Sequence, residues 1–143
     1  MFIKLTDSVW VAPQITVADV TAAAAQGITL IINNRPEDES PDQTPGEAIA
    51  AAAAAAGLAY VAIPVGHSGF SEPQIAALAK ALDEAPGPVL AYCRSGTRST
   101  LLWSLTQASR GHSPDGIALQ AAKAGYDISP VRPQVDMLAA KAG

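Results

Sequence analysis

Val89-Leu90-Ala91-Tyr92-Cys93-Arg94-Ser95-Gly96-Thr97-Arg98-Ser99 joins a short apolar run to a helical pattern, and that junction sets the fold class. Pro86-Gly87-Pro88 breaks the chain before it, and Val89 to Tyr92 then reads as a very short apolar strand. From about Ser99 to Ala108 the apolar residues recur with helical period. The strand therefore passes into a helix through Cys93 to Arg98, a segment holding the only cysteine of the chain.

The same alternation extends on both sides. Phe2 to Leu5 and Val9 to Ala12 read as an opening β ribbon turned by Thr6, Asp7 and Ser8. Thr16 caps a helix to Gln26, and Gly27 stands where a left-handed stop is expected. Ile28 to Ile32 suits a buried parallel strand. Asn33 to Gly46 is polar and long, the kind of loop that carries function in a compact domain. An alanine helix, Glu47 to Ala56, stops at Gly57, and Leu58 to Ile63 is the next strand. After the loop Pro64 to Phe70, Ser71 caps a helix through Ala85, with Pro73 in its first turn. Two further helices follow, Ser113/Pro114 to Ala124, stopped by Gly125, and about Arg132 to Lys141. The pattern predicts one α/β domain over residues 1–143, its central sheet of about four mostly parallel strands flanked by helices.

Composition sets bounds on function. The 143 residues fit one domain and can bury a real core. With 49% hydrophobic and 15% charged residues the chain is neither disordered nor a charge-patterned coiled coil. A net charge of −4 argues against a nucleic-acid or acidic-membrane footprint, while leaving room for a locally positive pocket that takes a small anion. One cysteine excludes an intrachain disulfide and a cysteine-based zinc site, and no cofactor or metal is implied. The start MFIKLTDSVW has no signal-peptide pattern, and no apolar run approaches the ~20 residues of a membrane span. The expected location is cytoplasmic.

The chemistry points to Cys93. Ligands of open α/β sheets bind at the carboxyl ends of strands, and a helix amino terminus favours an anion there. A thiolate is such an anion, and Arg94 and Arg98 add positive charge beside it. Gly96 frees the loop to turn its N–H groups inward, and the planar fork of Arg98 suits a tetrahedral oxyanion. Ser99 or Thr100 can hydrogen-bond the sulfur. The composite, Cys93 with Arg94, Ser95, Gly96, Thr97, Arg98 and Ser99, is a nucleophile inside an anion cradle. Asn34 and Arg35 are candidate pocket residues. Trp103 is expected in the core, Trp10 in the core or at its rim, and His112 in a structural turn.

At these residues the chain resembles two families of cysteine enzymes. Cysteine-dependent protein phosphatases carry Cys, Gly three residues later and Arg six after Cys, then Ser or Thr. Gly96 is in register with that pattern, but Arg98 lies five after Cys93, and Tyr92 replaces the usual His. Rhodanese-type sulfurtransferases often use a six-residue Cys-Arg-x-Gly-x-Arg loop, which Cys93 to Arg98 matches throughout. The scaffold segments Gly27 to Pro36 and Tyr60 to Val65 resemble compact dual-specificity phosphatases. Asn33-Asn34-Arg35-Pro36 together with Tyr92 to Ser99 is similar to the bacterial DUF442 family of phosphatase-like proteins, some of which carry a β-lactamase-like hydrolase domain. That resemblance implies a phosphatase-like hydrolase acting through a phosphocysteine on Cys93. The alternative is a sulfurtransferase carrying a Cys93 persulfide, and a third reading is an anion-binding regulatory module without turnover. The substrate is a phosphoester or a sulfane-sulfur donor. The resemblance also implies an acidic residue on the loop Val65 to Ser71, which here contains no Asp. His67 is the expected substitute, with Glu72, Glu37 and Asp38 as other candidates.

Overall fold

In the computed structural model, which describes residues 2–142, five strands form one sheet in the order β1-β2-β5-β3-β4. β1 (Ile3–Lys4) runs antiparallel to β2 (Val9–Ala12) at one edge. β5 (Val89–Tyr92) lies between β2 and β3 (Leu30–Asn33), and β4 (Ala59–Ala62) closes the other edge. These last four are the expected parallel strands. The ribbon adds an antiparallel fifth because the tight turn at Thr6–Ser8 can only fold β1 back on β2, with the Thr6 hydroxyl accepting from Val9 N–H.

Side chains alternate across the sheet into two hydrophobic layers. Val9 and Val11, Leu30 and Ile32, and Val89 and Ala91 face one core, completed by α3 (Glu72–Glu84), α4 (Thr97–Ser109), α5 (Pro114–Lys123) and α6 (Arg132–Ala142). Ala12, Ile31, Leu90 and Tyr92 face the other, beneath α1 (Val17–Ala25) and α2 (Gly46–Ala55). Burial on both faces explains why β3 and β5 are uniformly apolar until their last residues. Trp103 is in the first core, and Trp10 packs as a rim residue on the second.

α4 is covered nearly all round by its neighbours, so even its polar residues are buried. Thr100, Ser104 and Thr106 satisfy their hydroxyls on the carbonyls of Gly96, Thr100 and Leu102, four residues back in each case. A helix held this firmly is a rigid platform for the loop at its start. Among the described residues no helix is long and apolar enough to cross a membrane.

Candidate active site

β5 is the central parallel strand, and its carboxyl end delivers Cys93 directly to the amino terminus of α4. Loops from the ends of β2, β3 and β4 converge on the same point, as parallel topology requires. Cys93 is fully buried, and the N–H of Gly96 donates to its sulfur at 3.1 Å. Gly96 is the N-cap of α4 in a left-handed conformation, φ +88°, which a side chain rarely tolerates. A Cβ there would also collide with the Tyr126 hydroxyl.

The loop's carbonyls are held outward. Arg94 C=O accepts from Gln14 N–H (3.3 Å), and Ser95 C=O accepts from the Tyr126 hydroxyl (3.1 Å). Because a trans peptide points its C=O and N–H in opposite directions, these contacts turn the amides of Ser95 and Gly96 inward. Arg94 and Thr97 themselves are exposed. Thr97 Oγ1 accepts from Ser95 Oγ at 3.0 Å.

Arg98 is the second candidate group, and its orientation is fixed by bonds to residues distant in the sequence. Nη1 and Nη2 donate to the two carboxylate oxygens of Glu39 at 2.7 and 2.8 Å, and Nη1 also donates to Val65 C=O at 2.7 Å. Among the described residues no oxygen accepts from the guanidinium edge formed by Nε and the remaining Nη2 hydrogen, an edge whose shape suits bidentate contact with an oxyanion. Glu39, and after it the nearby Cys93 sulfur, stabilises the Arg98 charge and raises its pKa further. Val65 is held in turn by its N–H, which donates to Asn34 C=O at 2.9 Å as an extension of the β3–β4 pairing.

Glu39 is also shared with Arg35, whose Nε donates to Oε1 at 2.9 Å. Arg35 further donates to Gln14 Oε1 and Ser40 Oγ, so one buried guanidinium ties the β2 and β3 loops together. The Arg98 bonds, helped by Arg35 and opposed by burial, hold the Glu39 carboxyl down at about 2. It is an anion at every physiological pH.

Several expectations are corrected here. Ser99 and Thr100 do not donate to the sulfur: Ser99 Oγ donates to Asn34 Oδ1 at 2.8 Å, and Thr100 Oγ1 to Gly96 C=O. Asn34 and Arg35 are buried behind the loop, as braces, instead of forming an open pocket wall. Glu37 accepts from Gly46 N–H at the start of α2, and Asp38 is exposed, so the loop's contribution beside Arg98 is Glu39, a residue outside the expected set. Its Arg-Pro-x-x-Glu spacing carries no signal strong enough to single it out. His67 is 90% exposed in its side chain, with Nε2 3.8 Å from Glu39 Oε2, at the rim of this network.

The model of a protein family described as beta-lactamase hydrolase-like protein, phosphatase-like domain, matches residues 1–110. A beta-lactamase hydrolase-like protein of Agrobacterium fabrum is 38% identical over 109 residues, which are 76% of this chain and 25% of that protein. A counterpart from Xylella fastidiosa is 37% identical over 106 residues, 73% of this chain and 25% of that protein. The chain thus spans about a quarter of the length of these relatives. Among solved structures, a protein of Neisseria meningitidis described as a "putative phosphatase" superposes with a TM-score of 0.84 at 33% identity, covering 95% of this chain and 96% of that one. TpbA of P. aeruginosa, solved as a cysteine-to-serine variant in complex with pTyr, superposes with a TM-score of 0.68 at 13% identity, over 99% of this chain and 89% of that one. The fold is that of the cysteine phosphatases.

Proposed function

This chain belongs to the phosphatase-like domain family of the beta-lactamase hydrolase-like proteins, and on that premise we propose that it is a cysteine-dependent phosphomonoester hydrolase. The observation that carries the reading is the Gly96 N–H at 3.1 Å from Cys93 Sγ, on a loop that leads into an Arg98 whose Nη1 and Nη2 are anchored on Glu39.

The Cys93 thiolate attacks phosphorus, an S–P bond forms, and the P–O ester bond breaks. Arg98 and the inward amides of the loop hold the non-bridging oxygens as charge redistributes. His67, at the rim, gives a proton to the departing oxygen. Water then attacks the phosphocysteine, His67 takes a proton from it, the S–P bond breaks, and inorganic phosphate leaves. Glu39, ionised throughout, acts through Arg98 as its positioning partner and donates no proton. With the proton donor on an exposed loop and the Glu39 carboxyl beside Arg98 ionised, aryl phosphates are the favoured substrates, because their leaving groups need least help.

The test is turnover of an aryl phosphate by the wild type and by Cys93→Ser, beside incubation with thiosulfate and an acceptor thiol. Hydrolysis that disappears in the variant supports the reading. Thiosulfate turnover with one extra sulfur atom on Cys93 by mass spectrometry, and no hydrolysis, establishes the sulfurtransferase instead. Neither turnover leaves an anion-binding module.

A further inference from the structure

Tyr126 lies outside residues 1–110, the part of the chain that the family model matches, yet it reaches the centre of the site. Its delivery is dictated locally. α5 ends in a paired stop, with Gly125 N–H donating to Ala122 C=O and Tyr126 N–H to Ala121 C=O. Gly125 takes φ +93°, which reverses the chain and throws Tyr126 back toward the loop. The phenol then donates to Ser95 C=O at 3.1 Å. Burial, and then the neighbouring Cys93, push its pKa up, so it stays a donor.

Resting on the phosphatase reading for its functional meaning, we propose that Tyr126 is a positioning residue that fixes the Ser95–Gly96 peptide plane with its N–H on the Cys93 sulfur. The geometry is that of a single peptide unit carrying both contacts, Tyr126 Oη to Ser95 C=O on one side and Gly96 N–H to Cys93 Sγ on the other. Gly96 has no Cβ to hold that plane, and at φ +88° the peptide before it is easily turned. A flip would present a carbonyl oxygen to the sulfur and to any bound oxyanion, where like charge repels. The hydroxyl holds the carbonyl outward and thereby denies the flip. The site is therefore completed by a residue beyond α5, on a different element from the nucleophile.

Tyr126→Phe removes one oxygen and keeps the ring. Amide hydrogen exchange of Gly96, followed by NMR on the full chain, is expected to speed up about ten-fold. Affinity for vanadate and kcat/KM with an aryl phosphate are expected to fall about ten-fold, less than the ~10²–10³ of deleting an oxyanion donor, since the amide is freed and not removed. A merely structural role would shift the melting temperature without moving the Gly96 amide or vanadate binding. Gly125→Ala, which keeps the hydroxyl but strains the turn that aims it, is expected to reproduce the Gly96 change. Unchanged Gly96 exchange in both variants overturns the proposal. If the Gly96 amide responds while the wild type neither binds vanadate nor hydrolyses aryl phosphate, the positioning role stands and the phosphatase reading falls.

Discussion

Glu39→Gln is the most informative single change, because it removes one charge from a three-residue network without altering its shape. The side chains of Glu39, Arg98 and Arg35 are only 13%, 15% and 4% exposed, so the carboxylate faces two largely desolvated guanidinium groups. Its carboxyl is held at about 2 against an ordinary 4.5. At ~1.4 kcal/mol per pH unit this corresponds to about 3 kcal/mol of pairing, which water reaching the loop reduces to about 2. For a domain of this size that is a melting temperature lower by about 4–8 °C at pH 7. The pH dependence follows from the sign of the shift. A carboxyl with a depressed folded pKa stabilises above its unfolded value and loses that contribution as pH falls. The gap between wild type and Glu39→Gln is therefore expected to be constant above about pH 5.5, to narrow below the usual 4.5, and to close toward about 2. Differential scanning calorimetry at a series of pH values reads this directly. A variant melting within ~1 °C of wild type at neutral pH, or a gap that widens as pH falls, would rule out a stabilising Glu39 carboxylate; a shift that small corresponds to only a few tenths of a kcal/mol.

Three further changes address the remaining parts of the site. Arg98→Lys keeps the charge but loses the fork that binds Glu39 end-on and that, in the proposed reaction, would hold an oxyanion side-on, so kcat/KM for an aryl phosphate should fall by about 10²–10³, with no recovery at any salt concentration. Gly96→Ala places a Cβ against the Tyr126 hydroxyl at a left-handed φ; about 1–2 kcal/mol of backbone strain should appear as a lower urea midpoint, with vanadate binding weakened in parallel. His67→Ala should cost about 10²-fold on alkyl phosphates and much less on aryl phosphates, in steady-state assays run side by side. Equal losses on both classes would remove His67 from the role of proton donor.

How much of this was written in the sequence differs by residue. The place of Cys93, between a buried strand and a helix start, was legible because local terms fix it. Pro86-Gly87-Pro88 bounds the strand, four apolar residues need burial on both faces, and Gly96 permits the left-handed entry to α4. Gly27, Gly57 and Gly125 likewise marked helix ends, all at positive φ. The proposed partners of the sulfur were less legible. Ser99 follows Arg98 directly, yet its hydroxyl is taken by Asn34, 65 residues away. No nearest-neighbour rule could foresee that, since it depends on β3 lying beside β5.

Hydrogen bonding and sterics within a few residues are enough to set one thiol beside an anion-favouring helix start with two arginines near it, so that much is local and legible. Which way those groups face depends on long-range packing. The order β2-β5-β3-β4 brings Gln14, Glu39, Val65 and, from the far helices, Tyr126 around the loop. A guanidinium donates to any carboxylate within reach and a peptide plane can turn either way. The choice among those equivalents is made by whichever distant side chain the packed sheet delivers, and here that choice sets Arg98 on Glu39 and leaves the Gly96 amide on the Cys93 sulfur.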